Sequence, residues 1–135
     1  MDKKTLNQLV SQLENFVECW KQFNTYVAMA RTKKFTQDDE IQFLEIKSVI
    51  IQELEMIIGS IEQGGPNKDE IHALICAAPS IRYVSELQEG SVRAIETNWH
   101  KIFLGIQALL GQLKVAQKNA AAESIWSNMF GKKSK

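Results

Sequence analysis

Two stretches of this chain repeat apolar side chains at alternating steps of three and four residues. This spacing places the apolar groups on one side of an α-helix. The first stretch lies near the amino terminus and consists of Leu6, Leu9, Leu13, Phe16, Trp20, Phe23, Val27 and Ala30. The second lies towards the other end and consists of Val92, Ile95, Trp99, Ile102, Ile106, Leu109, Leu113 and Ala116. Because such surfaces must be buried, the sequence predicts an all-α protein in which helices pack on helices.

Local signals divide the chain into four helical segments. The segments cover about residues 3–31, 37–63, 67–88 and 91–118, with no strong stop after the last. Thr36 is typical of an N-cap, and Asp39 stands in the position of a capping box. Asn67 begins the third segment, after the helix-terminating sequence Gly64-Gly65-Pro66.

The short connections between these segments favour an antiparallel up-down four-helix bundle. Pro79 lies within the third segment and crowds the carbonyl of Ile75, so the third helix is predicted to be kinked or broken there. The alternative is three long helices plus a short connector helix, with residues 80–118 as one helix. Residues 1–123 are predicted to form the bundle domain, and residues 124–135 an apolar and basic C-terminal tail.

Charge and composition narrow the classes of partner. The 135 residues carry 16 basic and 16 acidic side chains, so no nucleic-acid partner is expected. No transmembrane segment is expected either, because the longest charge-free run, between Lys101 and Lys114, is too short to span a bilayer. Cys19 and Cys76 belong to no motif and are typical of small buried side chains. These features indicate a cytoplasmic protein.

No catalytic or metal-binding motif is recognisable. Glu96 and His100 are four residues apart and could meet on one helix surface. Carboxylate-bridged metal bundles instead use Glu-x-x-His pairs with further inward glutamates. Here the inward positions hold Leu, Ile, Phe and Trp. We therefore expect no enzyme, no cofactor and no metal, and a catalyst built around Glu96 and His100 is the third of three functional hypotheses.

Two further features interrupt the apolar faces. Lys47 lies within the apolar arc of the second segment. The favoured interpretation is a lysine whose ammonium group snorkels to solvent. The other is a polar residue that sets the packing register or pairs with a carboxylate of a partner. Gly105, Ala108 and Gly111 form a strip of small residues on the fourth segment. A glycine inside a helix costs about 1 kcal/mol relative to alanine, which close approach of another helix, internal or from a second subunit, could offset.

The candidate partner-binding residues lie on the second segment and in the tail. They are Val49, Met56, Ile125, Trp126, Met129 and Phe130. The second segment is apolar over an arc of roughly 160°, which is wider than a single neighbouring helix can cover. Val49 and Met56 lie outside that arc. The four tail residues form i,i+4 pairs and would present their apolar groups together.

Three interpretations of the tail compete. It folds back over the second helix, it docks into a groove on another protein or another copy of the chain, or it makes weak contact with a membrane surface through its aromatic groups and terminal lysines. The acidic excess of residues 36–70 and the basic excess of residues 111–135 would attract opposite ends of two molecules.

The leading functional hypothesis is a non-enzymatic module for protein–protein interaction or self-association, with a homo-dimer as the simplest assembly. The alternative is a binding protein for a small apolar or amphipathic ligand held between the helices. The residues that would line such a cavity are Phe16, Trp20, Phe23, Trp99 and Phe103, with His100 or Lys47 as a polar contact.

Overall fold

The computed structural model describes residues 2–61, 64–126 and 129. Within these ranges the chain forms helices and no strand, which confirms the predicted all-α fold. The helices are α1 (Lys3–Thr32), α2 (Gln37–Ser60), α3 (Lys68–Ala77), α4 (Ile81–Ser85) and α5 (Glu89–Trp126). Their mutual contacts fit a helical bundle. None of these helices is both long enough and apolar enough to cross a bilayer.

The helix ends follow local capping chemistry. The hydroxyl of Thr36 accepts a hydrogen bond from the Asp39 amide at 3.1 Å, and the Asp39 carboxylate accepts one from the Thr36 amide at 2.8 Å. The predicted capping box is therefore confirmed. The carboxamide of Asn67 accepts from the amide of Glu70 at 3.1 Å and caps α3 in the same way.

The first helix is the centre of the packing. α1 contacts α2, α4 and α5, and its buried stripe is the first of the two stripes predicted from the sequence. It runs antiparallel to α2, because Asn15 donates to Glu53 at 3.1 Å and Tyr26 donates to Gln42 at 3.0 Å. α2 contacts both α1 and α3, which together cover part of its broad apolar arc, whereas Leu44 within that arc stays exposed.

Polar contacts at both ends align α5 against α1. Near the start of α5, the guanidinium of Arg31 donates to the carboxylates of Glu89 and Glu96 at 2.9 to 3.0 Å. Near its far end, Gln117 donates to Asn7 at 2.8 Å. These contacts make α1 and α5 antiparallel over most of the length of α1.

The stretch predicted as the third segment forms two short helices. α3 ends at Ala77, α4 begins at Ile81, and Pro79 lies between them. The ammonium group of Lys47 donates to the carbonyl of Ala78 at 3.0 Å and to the carbonyl of Pro79 at 2.7 Å. The prediction that Lys47 snorkels to solvent is wrong, since its side chain is buried and holds the end of α3. Burial lowers the pKa of this ammonium group, and nearby Glu40 opposes that shift.

The other side of the break is held by Glu40. Its carboxylate accepts from the backbone amides of Ile81 at 2.8 Å and Arg82 at 2.9 Å, which are the first amides of α4. One face of α2 therefore binds the carbonyls that follow α3 and the amides that open α4. This arrangement needs a tertiary partner, and for that reason it is invisible in the local sequence around Pro79.

The two cysteines have different environments. Cys19 is buried in α1, as predicted, and burial raises the pKa of its thiol. Cys76 is exposed on α3, so the prediction of burial is wrong there. Both are free thiols.

Candidate interaction surface on the last helix

The outer side of α5 carries a row of mostly apolar and small side chains with one lysine, here called the outer seam. Its members on α5 are Leu104, Ala108, Gly111, Val115, Lys118, Ala122 and Ile125, and Met129, beyond the last residue of α5, stands at the next position of the same spacing. They follow one another at alternating steps of four and three residues, and all eight are exposed. At about 100° per residue, the row lies opposite Ile102 and Ile106, which face the core. α5 thus has two apolar sides, and the bundle buries one of them.

The large members of the outer seam keep most of their surface in solvent. Leu104 is 54% exposed, Val115 is 59% exposed and Ile125 is 60% exposed. Scattered exposed apolar side chains are ordinary in globular proteins, but a row of them along one helix face is the usual mark of a contact surface.

The glycines of α5 have no close neighbour to explain them. A Cβ atom added at Gly105 or at Gly111 would meet no atom within 4 Å beyond the helix's own nearby backbone. No helix of the described chain therefore approaches this strip closely. Because each glycine weakens an isolated helix by about 1 kcal/mol relative to alanine, their cost is not offset by packing inside one molecule.

The first part of α5 has a different outer face. The positions that continue the seam towards the N-terminus hold Arg93, Thr97 and His100, all exposed and polar. This is the pattern of an ordinary amphipathic surface helix, whose outer face is solvated. The change from polar to apolar occurs at Leu104.

The seam also follows α5 beyond the rest of the bundle. Since Asn7 pairs with Gln117, the start of α1 lies level with about residue 121 of α5, and α5 continues to Trp126. From Gly111 to Glu123 every residue of α5 is exposed or half-buried. The C-terminal end of the helix is therefore accessible from several sides.

The structure places the predicted partner-binding residues in two separate areas. Val49 and Met56 are exposed on α2. Ile125 and Met129 are exposed at the end of the chain and join the outer seam, so the bundle does not cover them. Trp126 is the last residue of α5; its side chain and Phe130 lie outside the described residues.

Six of the eight seam residues were not among the predicted partner-binding residues. They are Leu104, Ala108, Gly111, Val115, Lys118 and Ala122. A signal for them exists, because the same four-and-three spacing links them to Ile125 and Met129. α5 carries two stripes with this spacing, however, and the sequence predicts the burial of the one that faces the core. Of the outer stripe it indicates only the small residues Ala108 and Gly111, as a place where a helix of the same or a second subunit could approach. The predicted boundary before residue 124 also falls within α5, which continues through it without a break.

The aromatic residues proposed to line a ligand cavity are packed against one another instead. The rings of Trp20 and Trp99 stack with centroids 6.2 Å apart, and those of Trp99 and Phe103 with centroids 5.0 Å apart. Each indole N–H donates to the backbone carbonyl of the other tryptophan, at 3.2 Å from Trp20 and 2.8 Å from Trp99. Phe16 and Phe23 are fully buried beside them. This cluster ties α1 to α5, and the rings contact one another.

A groove is found elsewhere, between α3, α4 and α5. Its volume is about 530 Å³, and the buried side chains of Leu74, Ile95 and Ile102 line it. Glu70 and Lys101 form an ion pair at 3.5 Å along its edge. The groove has the apolar wall and the few polar groups that are common in small-molecule sites.

The proposed pair of Glu96 and His100 is not assembled into a catalytic site. The carboxylate of Glu96 accepts hydrogen bonds from Arg31, and His100 lies exposed on the outer face of α5. Among the residues that the structure describes, no group of three or more His, Cys, Asp or Glu side chains could hold a metal ion.

Comparison of this chain with models of protein families, with curated proteins and with solved structures finds no match.

Proposed function

We propose that this chain is a non-enzymatic protein–protein interaction module that associates with itself, and that the outer seam of α5 is its contact surface. The observation that carries the proposal is the second apolar side of α5, whose large side chains are more than half exposed. Removing such a surface from water contributes about 25 cal/mol per Å² of apolar area, so a partner that covers it is favoured.

The surroundings of the seam support this function over a catalytic one. Several titratable groups of α5 form ion pairs with α1, such as Glu89 with Arg31 and Lys114 with Glu14 at 3.1 Å. Together with the aromatic contacts between the two helices, these pairs align α5 along α1 and leave its seam exposed to solvent.

The remaining parts of the proposal concern arrangement and location. We propose that α3 and α4 together occupy the fourth position of an up-down bundle, because Lys47 and Glu40 hold their junction against α2. A cytoplasmic location is consistent with two free thiols. Weak contact of the tail with a membrane surface is a competing use of the exposed Ile125 and Met129.

Multi-angle light scattering on the full chain across a range of concentrations tests the function. We expect a mass that rises with concentration towards that of a dimer, and a smaller rise for the double variant Ile125→Glu/Met129→Glu. The matched control is Ile41→Glu/Leu44→Glu, which adds the same charge at exposed apolar positions of α2. A wild-type chain that stays strictly monomeric at the highest concentration would overturn the proposal.

The same assay separates the two candidate surfaces. Val49→Glu/Met56→Glu changes the exposed candidates on α2 and leaves α5 intact. A loss of association with this variant and not with the α5 variant would move the contact surface to α2 while self-association stands.

A second candidate function is binding of a small apolar ligand in the groove between α3, α4 and α5, favoured by its volume of about 530 Å³. Ala94 lines this groove from α5, and Ala94→Trp would fill much of it. An apolar fluorescent dye that binds the wild type and not this variant would support the function. Equal binding to both proteins would reject it.

A further inference from the structure

The outer seam has the period of a coiled coil. Its steps of four and three residues average 3.5, which keeps a stripe facing a partner helix that winds around it with the same period. A flat protein surface or a membrane does not require this spacing. A second helix of the same period is the occupant that this stripe fits best.

We infer that this helix is α5 of a second copy of the chain, paired antiparallel across a two-fold axis. This inference rests on the proposed self-association and adds its geometry. In the antiparallel register that aligns the two ends of the seam, Ala108 faces Ile125 of the second copy, and Gly111 faces Ala122 of the second copy. Ile125 thus meets a small side chain, and the largest pair, Leu104 with Met129, lies at the two ends of the seam. The two backbones come closest where Gly111 faces Ala122, because both of these residues are small. The stripe is complementary to itself, as a two-fold interface requires.

The charge in the seam also selects the antiparallel orientation. A parallel pair in register would place the Lys118 ammonium groups of both copies in the same layer, where like charges repel. In the antiparallel register Lys118 faces Val115 of the second copy instead. Each lysine can then lay its aliphatic stem over the valine and keep its ammonium group in solvent.

The contact area determines how strong this pair can be. From Leu104 to Ile125 the part of the seam on α5 is about 32 Å long at 1.5 Å per residue, and a helix is about 12 Å wide. With the exposed side chain of Met129 added, the contact covers on the order of 1,000 Å² for the two copies together. That value lies at the lower end of specific interfaces. The dimer is therefore reversible and depends on concentration, and each copy folds as a monomer when dilute.

The seam is tested by analytical ultracentrifugation of the full chain with Ile125→Glu. In the antiparallel register this variant places a carboxylate against Ala108 of the second copy, with no cation opposite, so we expect the dissociation constant to rise by more than about 100-fold. Leu44→Glu is the matched control, because Leu44 on α2 is 59% exposed and Ile125 is 60% exposed. The control should change the constant by less than about threefold, with both variants as helical as the wild type by circular dichroism.

The orientation is tested by spin labels. A nitroxide is attached through Thr97→Cys, on the exposed outer face of α5, in a Cys76→Ser background that removes the exposed native thiol. In the antiparallel dimer the two labels lie about 58 Å apart along the helix axes. In a parallel dimer they lie about 10 Å apart, the usual separation of paired helices.

Each failure has a distinct meaning. A wild type that never dimerises overturns the proposed function together with this inference. A dimer that survives Ile125→Glu, or that Leu44→Glu disrupts equally, overturns the seam and leaves self-association standing. A dimer that Ile125→Glu disrupts and whose labels are close together overturns the antiparallel orientation.

Discussion

The two halves of α5 belong to the same continuous helix and face different surroundings. The N-terminal half, residues 89–103, has a buried apolar side and a solvated polar side, as a surface helix of a bundle should. The C-terminal half, residues 104–126, is apolar on its outer side and carries two unpartnered glycines, Gly105 and Gly111. The N-terminal half has the solvated outer face of an ordinary surface helix. The C-terminal half has the exposed apolar row on which the proposed self-association rests. The comparison shows that exposed apolar side chains are informative when a neighbouring part of the same helix lacks them.

The largest expected effect is on the free energy of unfolding. It comes from truncating a core-facing and an outward-facing side chain of α5 near residue 103, where the two halves meet. Ile102→Ala removes a buried side chain and should lower the free energy of unfolding by about 2–4 kcal/mol. Leu104→Ala, two residues away on the exposed side, should change it by less than about 0.5 kcal/mol in dilute, monomeric protein. Urea unfolding at low concentration measures both. Similar losses for the two variants would mean that the outer side is covered within the monomer.

A smaller effect distinguishes the two glycines. Gly105→Ala and Gly111→Ala should each raise the free energy of unfolding of the monomer by up to about 1 kcal/mol, because a Cβ atom at either position meets open space. Gly111 belongs to the seam and Gly105 flanks it, so Gly111→Ala should weaken the dimer and Gly105→Ala should leave it unchanged. Thermal unfolding and ultracentrifugation give the two readings. If both variants raise the free energy of unfolding of the monomer and neither changes the dissociation constant of the dimer, Gly111 is not the point of closest approach.

The smallest effect concerns the ionic contacts of the N-terminal half. Hydrogen bonds from Arg31 lower the pKa of Glu89 below its ordinary value of 4.5. A carboxylate with a lowered pKa in the folded state stabilises the fold above the unfolded pKa, and this stability is lost as the pH falls through the folded pKa. Both groups are exposed, so the contribution is screened by solvent and small.

Urea unfolding of dilute wild type and Glu89→Gln at a series of pH values tests this. The stability of the wild type should fall more steeply than that of the variant as the pH drops below 4.5. Parallel curves would contradict it. The dimer should be unaffected by Glu89→Gln, because Glu89 lies 15 residues before the seam begins.

The sequence predicts the features that depend on neighbouring residues. The capping box at Thr36 and the start of α3 after Asn67 come from side chains that act on their own backbone, and the structure has both where they were predicted. The form of the third segment depends on Lys47 and Glu40, which lie more than 30 residues earlier in the chain, and the sequence therefore left it open.

The candidate site was predicted in part for a similar reason. Ile125 and Met129 stand out as large apolar groups near the chain end, whereas Leu104 and Val115 alternate with core residues of the same helix. Periodicity reports that a stripe exists, and it does not report which stripe the bundle covers. That distinction requires the arrangement of α1 around α5.

The junction at Pro79 has a consequence for changes in chain length. Glu40 and Lys47 are seven residues apart on α2, about 10 Å along the helix axis, and each holds one side of the junction. The distance between Glu40 and Lys47 on α2 thus sets the length of the spacer of residues 78–80. An inserted or deleted residue there would break the hydrogen bonds to Lys47 or those to Glu40, so natural length variants and engineered insertion points should avoid this spacer.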